Sequence, residues 1–211
     1  MVRPVQKTVV FKTEKGEVCL RSFCSPQEIE SVSVKGIFGE YSRYNPIISN
    51  KEILKALTLE PDANVTVACC EDGMIVGLGV LRYAKPEDRW VRVGEHIMME
   101  VAAVEVSRAW RSQGISSQLL RMLVDHPLEA RRIFFMVGYS WTWDLEGSGL
   151  EPMQYRAMMV RLFSKYGFER FQTNEPNIMM RPENLFMARI GVEVSEEIRQ
   201  RFKRIRFNID P

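Results

Sequence analysis

The chain has 211 residues, of which 45% are hydrophobic and 27% charged, a composition typical of a globular protein. Its 29 basic and 27 acidic residues leave a formal net charge of +2, which argues against a nucleic-acid-binding protein. No run of about 18 apolar residues is present, and the N-terminus lacks the apolar stretch of a signal peptide. We therefore expect a cytoplasmic protein that binds neither nucleic acid nor membrane.

The thiol and imidazole groups do not form the pattern of a metal site. They belong to Cys19, Cys24, Cys69, Cys70, His96 and His126. No C-x-x-C pair is present, and the two histidines are far apart in the chain. Cys69 and Cys70 are neighbours in an apolar run, where successive side chains of a strand point to opposite faces. The sequence thus predicts free thiols in a reducing compartment and no bound metal.

The chain begins with the pattern of a β-hairpin. Residues 8–12 and 17–23 favour strands, and residues 14–16 (Glu-Lys-Gly) favour a tight turn between them. We expect this hairpin to form an N-terminal extension, residues 1–24, packed on the core domain.

Two helices are predicted next. Ser25 is a suitable N-cap, a proline follows it, and Glu28 is placed for a capping box. Asn50 caps a second helix over residues 51–59.

A second hairpin follows, with strands at residues 65–70 and 74–83 around the turn at 71–73. Gly77 and Gly79 lie inside its second strand. Glycine at such positions indicates a bulge or the close approach of another part of the backbone.

The most informative stretch is a strand, a glycine loop and a helix in succession. Residues 97–106 predict a buried strand, and residues 111–116 a polar loop in which Gly114 can take a positive φ. Helical spacing then relates Ile115, Leu119, Leu120, Leu123 and Val124. Loop amides and a helix N-terminus together form a phosphate cradle. The loop lacks both the Gly-Lys-Ser/Thr of a P-loop and the glycine spacing of a dinucleotide fold.

The remaining elements complete one core domain. They are a strand at 132–139, a helix at 152–165, strands at 168–173 and 185–190, and an amphipathic helix at 193–207. Hairpins followed by a strand–helix–strand unit predict an α/β (α+β) fold with a mixed, mostly antiparallel central sheet.

The loop resembles the acyl-CoA loop of the GNAT N-acetyltransferase superfamily, Arg/Gln-x-x-Gly-x-Gly/Ala. Arg111 and Gly114 match it, Ser116 stands where Gly or Ala is usual, and residues 162–168 (L-F-S-K-Y-G-F) resemble a second GNAT landmark. The resemblance implies the GNAT fold over residues 25–192, with residues 193–211 as a C-terminal helix and tail. It also implies acetyl-CoA as acetyl donor, held by Val104, Val106, Arg111, Ser112, Gln113, Gly114, Ile115 and Ser116.

Residues 140–159 (S-W-T-W-D-L-E-G-S-G-L-E-P-M-Q-Y-R-A-M-M) resemble more closely the AcuA-type acetoin-utilisation acetyltransferases. That resemblance implies a protein lysine acetyltransferase whose acceptor is AMP-forming acetyl-CoA synthetase, which it inactivates. We expect Trp141, Trp143 and Asp144 to contact the acceptor. Two alternatives remain: a GNAT enzyme acting on a small amine, and a non-catalytic acyl-CoA sensor.

A lysine amine, with a pKa of about 10.4, needs a general base at neutral pH. Glu100, flanked by apolar residues, is the leading candidate and Glu105 the rival, because alternation along a strand places them on opposite faces. Phe163 occupies the position of the tyrosine that protonates the thiolate in related enzymes. Tyr155 and Tyr166 are possible substitutes that the sequence does not rank. The oligomeric state leaves no mark in the sequence.

Overall fold

The computed structural model describes residues 4–34 and 50–209. The chain forms two compact units, Met1–Arg82 with Val101–His126, and Tyr83–Glu100 with Pro127–Pro211. Residues 39–46, an aromatic and polar stretch that the resemblance to GNAT enzymes would place near the acceptor, lie outside the described residues.

The first unit contains four antiparallel strands in the order of the chain. They are β1 (Thr8–Thr13), β2 (Gly16–Arg21), β3 (Asn64–Cys70) and β4 (Ile75–Tyr83). Both predicted hairpins are confirmed.

Two short helices, α1 (Pro26–Ser31) and α2 (Lys51–Leu57), cover one face of these strands. The predicted caps are both present: Ser25 and Glu28 form a capping box, and Asn50 accepts from the amide of Ile53 at 2.9 Å. The helices pack through fully buried side chains onto one core cluster, whose members include Ile29, Leu54, Val65, Val67, Ile75, Leu78 and Val80.

The other face of the strands carries α3 (Ile115–Val124), which follows strand β5 (Met98–Val106). Val67 faces α1 and α2 whereas its neighbour Ala68 belongs to the α3 cluster, as alternation along a strand requires. Burial of Ile115, Leu119 and Met122 explains why apolar residues recur at helical spacing there.

Gly77 and Gly79 allow α3 to approach β4 closely. A Cβ added at Gly77 would lie 2.9 Å from Ile115 Cγ2, and one at Gly79 would lie 2.8 Å from Leu123 Cδ1. The β3–β4 register also shifts between Ala68 and Cys69. Both the predicted close approach and the predicted bulge are confirmed.

The second unit is built on strand pairs that include one parallel pair. Met98–Glu100 of β5 pair in parallel with β6 (Ile133–Gly138). After α4 (Leu145–Ser148) and α5 (Pro152–Ser164) come β7 (Glu169–Arg170), α6 (Pro176–Met179) and β8 (Leu185–Ile190). Strand β8 is antiparallel to both β6 and β7. The sheet therefore combines parallel and antiparallel strand pairs and is mostly antiparallel, as predicted.

The predicted strand at 168–173 is wrong in length, because only Glu169–Arg170 pair as a strand. Beyond them the chain hydrogen-bonds to the C-terminal helix α7 (Glu196–Ile205) and the turn that follows it. The amide of Asn174 donates to Arg206 O at 3.1 Å, and the Thr173 hydroxyl donates to the same oxygen at 2.7 Å.

Helix α7 belongs to the core of the second unit. Ser195 caps it, and Phe202 and Ile205 are buried with Trp90 and Phe186. The apolar stripe predicted for this helix is confirmed.

All four cysteines are free. Burial, followed by the charge of Glu28, raises the pKa of Cys24 to about 12, and burial raises that of Cys69 to about 11. Among the described residues, no group of three or more His, Cys, Asp or Glu is placed to hold a metal ion. Within the same ranges, no helix has the length and apolarity needed to cross a bilayer.

We predict that Gly79→Ala lowers the free energy of unfolding by about 1–3 kcal/mol, since its Cβ would overlap Leu123. In a Leu123→Ala background the same change should cost much less, because the methyl group then enters the space left by leucine. Urea denaturation of the four proteins in this double-mutant cycle measures the coupling. An equal cost in both backgrounds would contradict the close approach.

Candidate functional site

The polar loop after β5 is held in a defined shape by hydrogen bonds within the first unit. The amide of Ser107 donates to Val76 O at 2.9 Å, and Arg111 Nε donates to Val106 O at 3.3 Å. Ser112 and Gly114 have φ values of 64° and 80°, so the loop turns through the left-handed region twice. The positive φ expected for Gly114 is observed.

Gly114 is also the N-cap of α3. Its carbonyl accepts from the amides of Ser117 and Gln118 at 3.1 and 3.2 Å. The first amides of a helix have no carbonyl partner within it, and they form the positive end of its dipole. A Cβ at Gly114 would meet no heavy atom within 4 Å, so this side of the loop is open. An anionic group such as a diphosphate can reach these amides, which fits an acyl-CoA ligand.

The tip of the β1–β2 hairpin supports the loop, and no local pattern in the sequence predicts this contact. The amide of Glu14 donates to Gln113 Oε1 at 3.0 Å, and Lys15 Nζ donates to Ala109 O at 2.5 Å. The Gln113 side-chain oxygen is thus engaged by the hairpin. Gln113 therefore helps to hold the loop in place.

Burial alternates along the C-terminal part of β5. Val101, Ala103 and Glu105 are buried. Glu100 and every second residue after it, up to Val106, are half-buried. The two predicted base candidates therefore lie on opposite faces of the strand. Val104 and Val106 pack beside the cluster that contains Ile115 and Leu119.

In the second unit, aromatic residues form a stack just after β6. The rings of Tyr139 and Trp141 are parallel within 7°, with centroids 4.7 Å apart, and Arg181 Cζ lies 5.4 Å from the Trp141 ring centroid. The segment is fixed because the amide of Ser140 donates to Asn184 Oδ1 at 2.7 Å. Trp141 is 52% exposed, which leaves its ring available to a partner.

Acidic residues surround Tyr139. Burial, followed by the charges of Glu175, Asp88 and Glu100, raises the pKa of Tyr139 to about 12, against an opposing hydrogen bond with Asn177. Tyr139 therefore stays a neutral phenol at physiological pH. The sequence did not identify this residue, because its acidic neighbours are distant in the chain.

The other two residues predicted to contact the acceptor are buried. Trp143 is 7% exposed and stacks on Tyr155, with centroids 5.0 Å apart and planes 16° apart. Asp144 is 2% exposed and accepts from the amide of Gly147 at 2.9 Å, which caps α4. This placement gives Asp144 a structural role, and it argues against the expectation that its carboxylate steers a lysine from solvent.

A family model described as "Acetyltransferase (GNAT) family" matches residues 34–140. The chain belongs to the GNAT family. Members transfer an acetyl group from acetyl-CoA to an amine, so the chain is an N-acetyltransferase.

Three similar proteins illustrate its place within the GNAT family. The acetoin utilization protein AcuA of Bacillus licheniformis is 31% identical over 198 residues, which is 94% of this chain and 92% of that protein. The crystal structure of an acetoin utilization protein from Exiguobacterium sibiricum shares 26% identity at a TM-score of 0.88, covering 98% of this chain and 96% of that one. A phosphinothricin acetyltransferase from Sinorhizobium meliloti, solved in complex with AcCoA, shares the fold at 17% identity and a TM-score of 0.50, covering 82% and 89%.

The position of the usual GNAT tyrosine is occupied by a core residue here. Phe163 is 1% exposed and meets Phe168 edge-to-face, with centroids 5.1 Å apart and planes at 88°. Of the two substitutes, Tyr155 is stacked on Trp143 and Tyr166 is half-buried in the turn after α5. Neither placement assigns the thiolate-protonating role.

We predict that the two tryptophans of this GNAT chain differ sharply in their contribution to stability. Trp143→Ala should lower the free energy of unfolding by about 3–5 kcal/mol, because it empties a buried stacked site. Trp141→Ala should change it by less than about 1 kcal/mol, because the ring is half exposed. Chemical denaturation of both variants measures the difference, and similar losses would contradict the assignment of Trp143 to the core.

Proposed function

We propose that the chain is a cytoplasmic protein lysine N-acetyltransferase of acetoin metabolism, and that it inactivates an AMP-forming acetyl-CoA synthetase. The identity of the acceptor comes from the resemblance to AcuA-type enzymes. The main structural support is the half-exposed Trp141 ring, which stacks on Tyr139 and lies near Arg181, together with the carboxylates whose charges act on Tyr139. An indole face can pack along a lysine stem, while carboxylates attract its ammonium group.

For acetyl-CoA, the proposed site is the loop and helix start of the first unit. The amides at the start of α3 and the Arg111 guanidinium would hold the diphosphate, and the edge of β5 at Val104 and Val106 would hold the pantetheine arm. The open space beside Gly114 supports this assignment.

Gly114→Asp and Gly114→Asn form a matched pair for this assignment. Both side chains tolerate a φ of 80° and both can cap a helix, so the two variants should have similar stability. Only aspartate places a negative charge where the diphosphate would bind. We expect its acetyl-CoA affinity to fall at least tenfold below that of the asparagine variant in isothermal titration. Equal affinities would argue against diphosphate binding at this loop.

The proposed reaction is direct attack of the lysine amine on the thioester. A glutamate takes the amine proton, strand amides near Val104 or Val106 stabilise the oxyanion, and CoA leaves as the thiolate. Glu100 is the leading candidate for the base. It is half-buried, and its charge acts on Tyr139, which lies beside the exposed Trp141.

Glu100→Gln should lower kcat by about 10² or more at neutral pH, with the KM for acetyl-CoA nearly unchanged. Activity should recover partly as the pH approaches about 10.4, because free amine then needs no base. Glu105→Gln is the isosteric control and should stay near wild type. If the two pH–rate profiles are interchanged, Glu105 is the base.

Acetyl transfer to purified acetyl-CoA synthetase, detected with an anti-acetyl-lysine antibody, tests the function as a whole. We expect modification of one lysine and a parallel loss of synthetase activity. Turnover with small amines but not with the synthetase would instead identify a small-molecule acetyltransferase. Acetyl-CoA binding without transfer to any amine would identify a sensor.

A further inference from the structure

The second unit contains a pocket of about 610 Å³ that no step of the proposed reaction uses. It lies among β7, α6, β8 and the turn after α7. Its apolar wall includes Phe171, Leu185, Phe186 and Phe207. Its polar lining includes Arg156, Arg170, Gln172, Asn174, Arg181 and Asn184. We call it the arginine pocket.

Two of these arginines, Arg156 and Arg170, line the same pocket without an ion pair among the described residues. The pKa of Arg156 is lowered, first by burial and then by the charge of Arg170, so the two cations repel each other. Arg156 Nε is buried and has no hydrogen-bond partner among the described residues. Within residues 4–34 and 50–209, neither side chain forms an ion pair. An anion between them would relieve the repulsion and supply the missing acceptor.

A further arginine lies behind the pocket wall. The guanidinium carbon of Arg206 is 4.9 Å from the Phe171 ring centroid and 5.5 Å from that of Phe207, and both rings line the pocket. Burial lowers the pKa of Arg206, and its Nη1 donates to Gln172 O at 3.1 Å. This buried charge adds to the positive potential of the pocket.

The rim of the pocket is unusually apolar for an exposed surface. Met179 lines the pocket and is 67% exposed, its chain neighbour Met180 is 78% exposed, and Met153, one helical turn before the lining residue Arg156, is 54% exposed. Arg181 lines the pocket and also covers the Trp141 ring, so the pocket continues to the aromatic stack. Exposed Met and Trp beside Arg are typical of protein interfaces.

We infer that the arginine pocket and its methionine rim bind an acidic, partly apolar segment of the protein acceptor. This inference rests on the proposed function. Carboxylates of the segment would lie between Arg156 and Arg170, and its apolar side chains would cover the methionines. A free small anion would fill the charged part only and leave the rim exposed. The acceptor is thereby recognised at a surface outside the chemistry, which favours a folded protein over free lysine.

The test compares the double variant Arg156→Gln/Arg170→Gln with wild type on two substrates. One is intact acetyl-CoA synthetase, and the other is a short peptide that contains the lysine to be acetylated, with its amine free. We expect the KM for the synthetase to rise at least tenfold, while kcat/KM for the peptide and the KM for acetyl-CoA stay unchanged. Arg161→Gln removes the same charge from an exposed position of α5 that does not line the pocket, and it should behave as wild type.

Four results would overturn the inference, and they are distinguishable. If wild type modifies the synthetase and the double variant does so with the same KM, only the docking role fails. If both substrates lose activity equally, the arginines act on the chemistry rather than on docking. If wild type modifies small amines but not the synthetase, the proposed function fails and the docking inference with it. Competition by citrate, with an unchanged KM for the synthetase in the double variant, would assign the pocket to a small anion.

Discussion

The structure of the first unit depends on how closely α3 approaches β4. Glycines at 77 and 79 leave no side chain between strand and helix, so the residues at 115, 119 and 123 pack almost onto the strand backbone. This contact fixes the start of α3, and with it the direction in which its first amides point. A phosphate cradle is only as well defined as the helix end that forms it. The packing of two glycines thus determines the geometry of the proposed acyl-CoA loop.

The loop also gains support from a segment that is distant in sequence. The β1–β2 hairpin contacts it through Gln113 and Ala109, so an element that looks like an addition to the core takes part in shaping the site. In the second unit, the charges that act on Tyr139 come from Asp88 before β5, Glu100 within β5 and Glu175 after α5. Both the proposed acyl-CoA loop and the surroundings of Tyr139 therefore depend on contacts between residues that are distant in sequence, and not on a local motif alone.

Local signals explain which features the sequence could predict. The capping box at Ser25, the turn residues of both hairpins and the periodicity of α3 each act within a few residues, and each is observed. The paired tryptophans could not be separated by pattern, because their exposure depends on Tyr155 and Arg181 far along the chain. Asp144 caps a four-residue helix too short to leave a periodic signal. The arginine pocket was invisible in the sequence for the same reason, since its cations come from separate elements.

The buried thiol of Cys24 has a chemical consequence for an enzyme that handles a reactive thioester. A cysteine attacks acyl groups as the thiolate, and a pKa of about 12 leaves on the order of one Cys24 in 100,000 ionised at pH 7. Burial beside α1 and the charge of Glu28 maintain that state. Packing in the core therefore keeps the Cys24 sulfur unreactive toward the acetyl donor, and it slows oxidation of this sulfur.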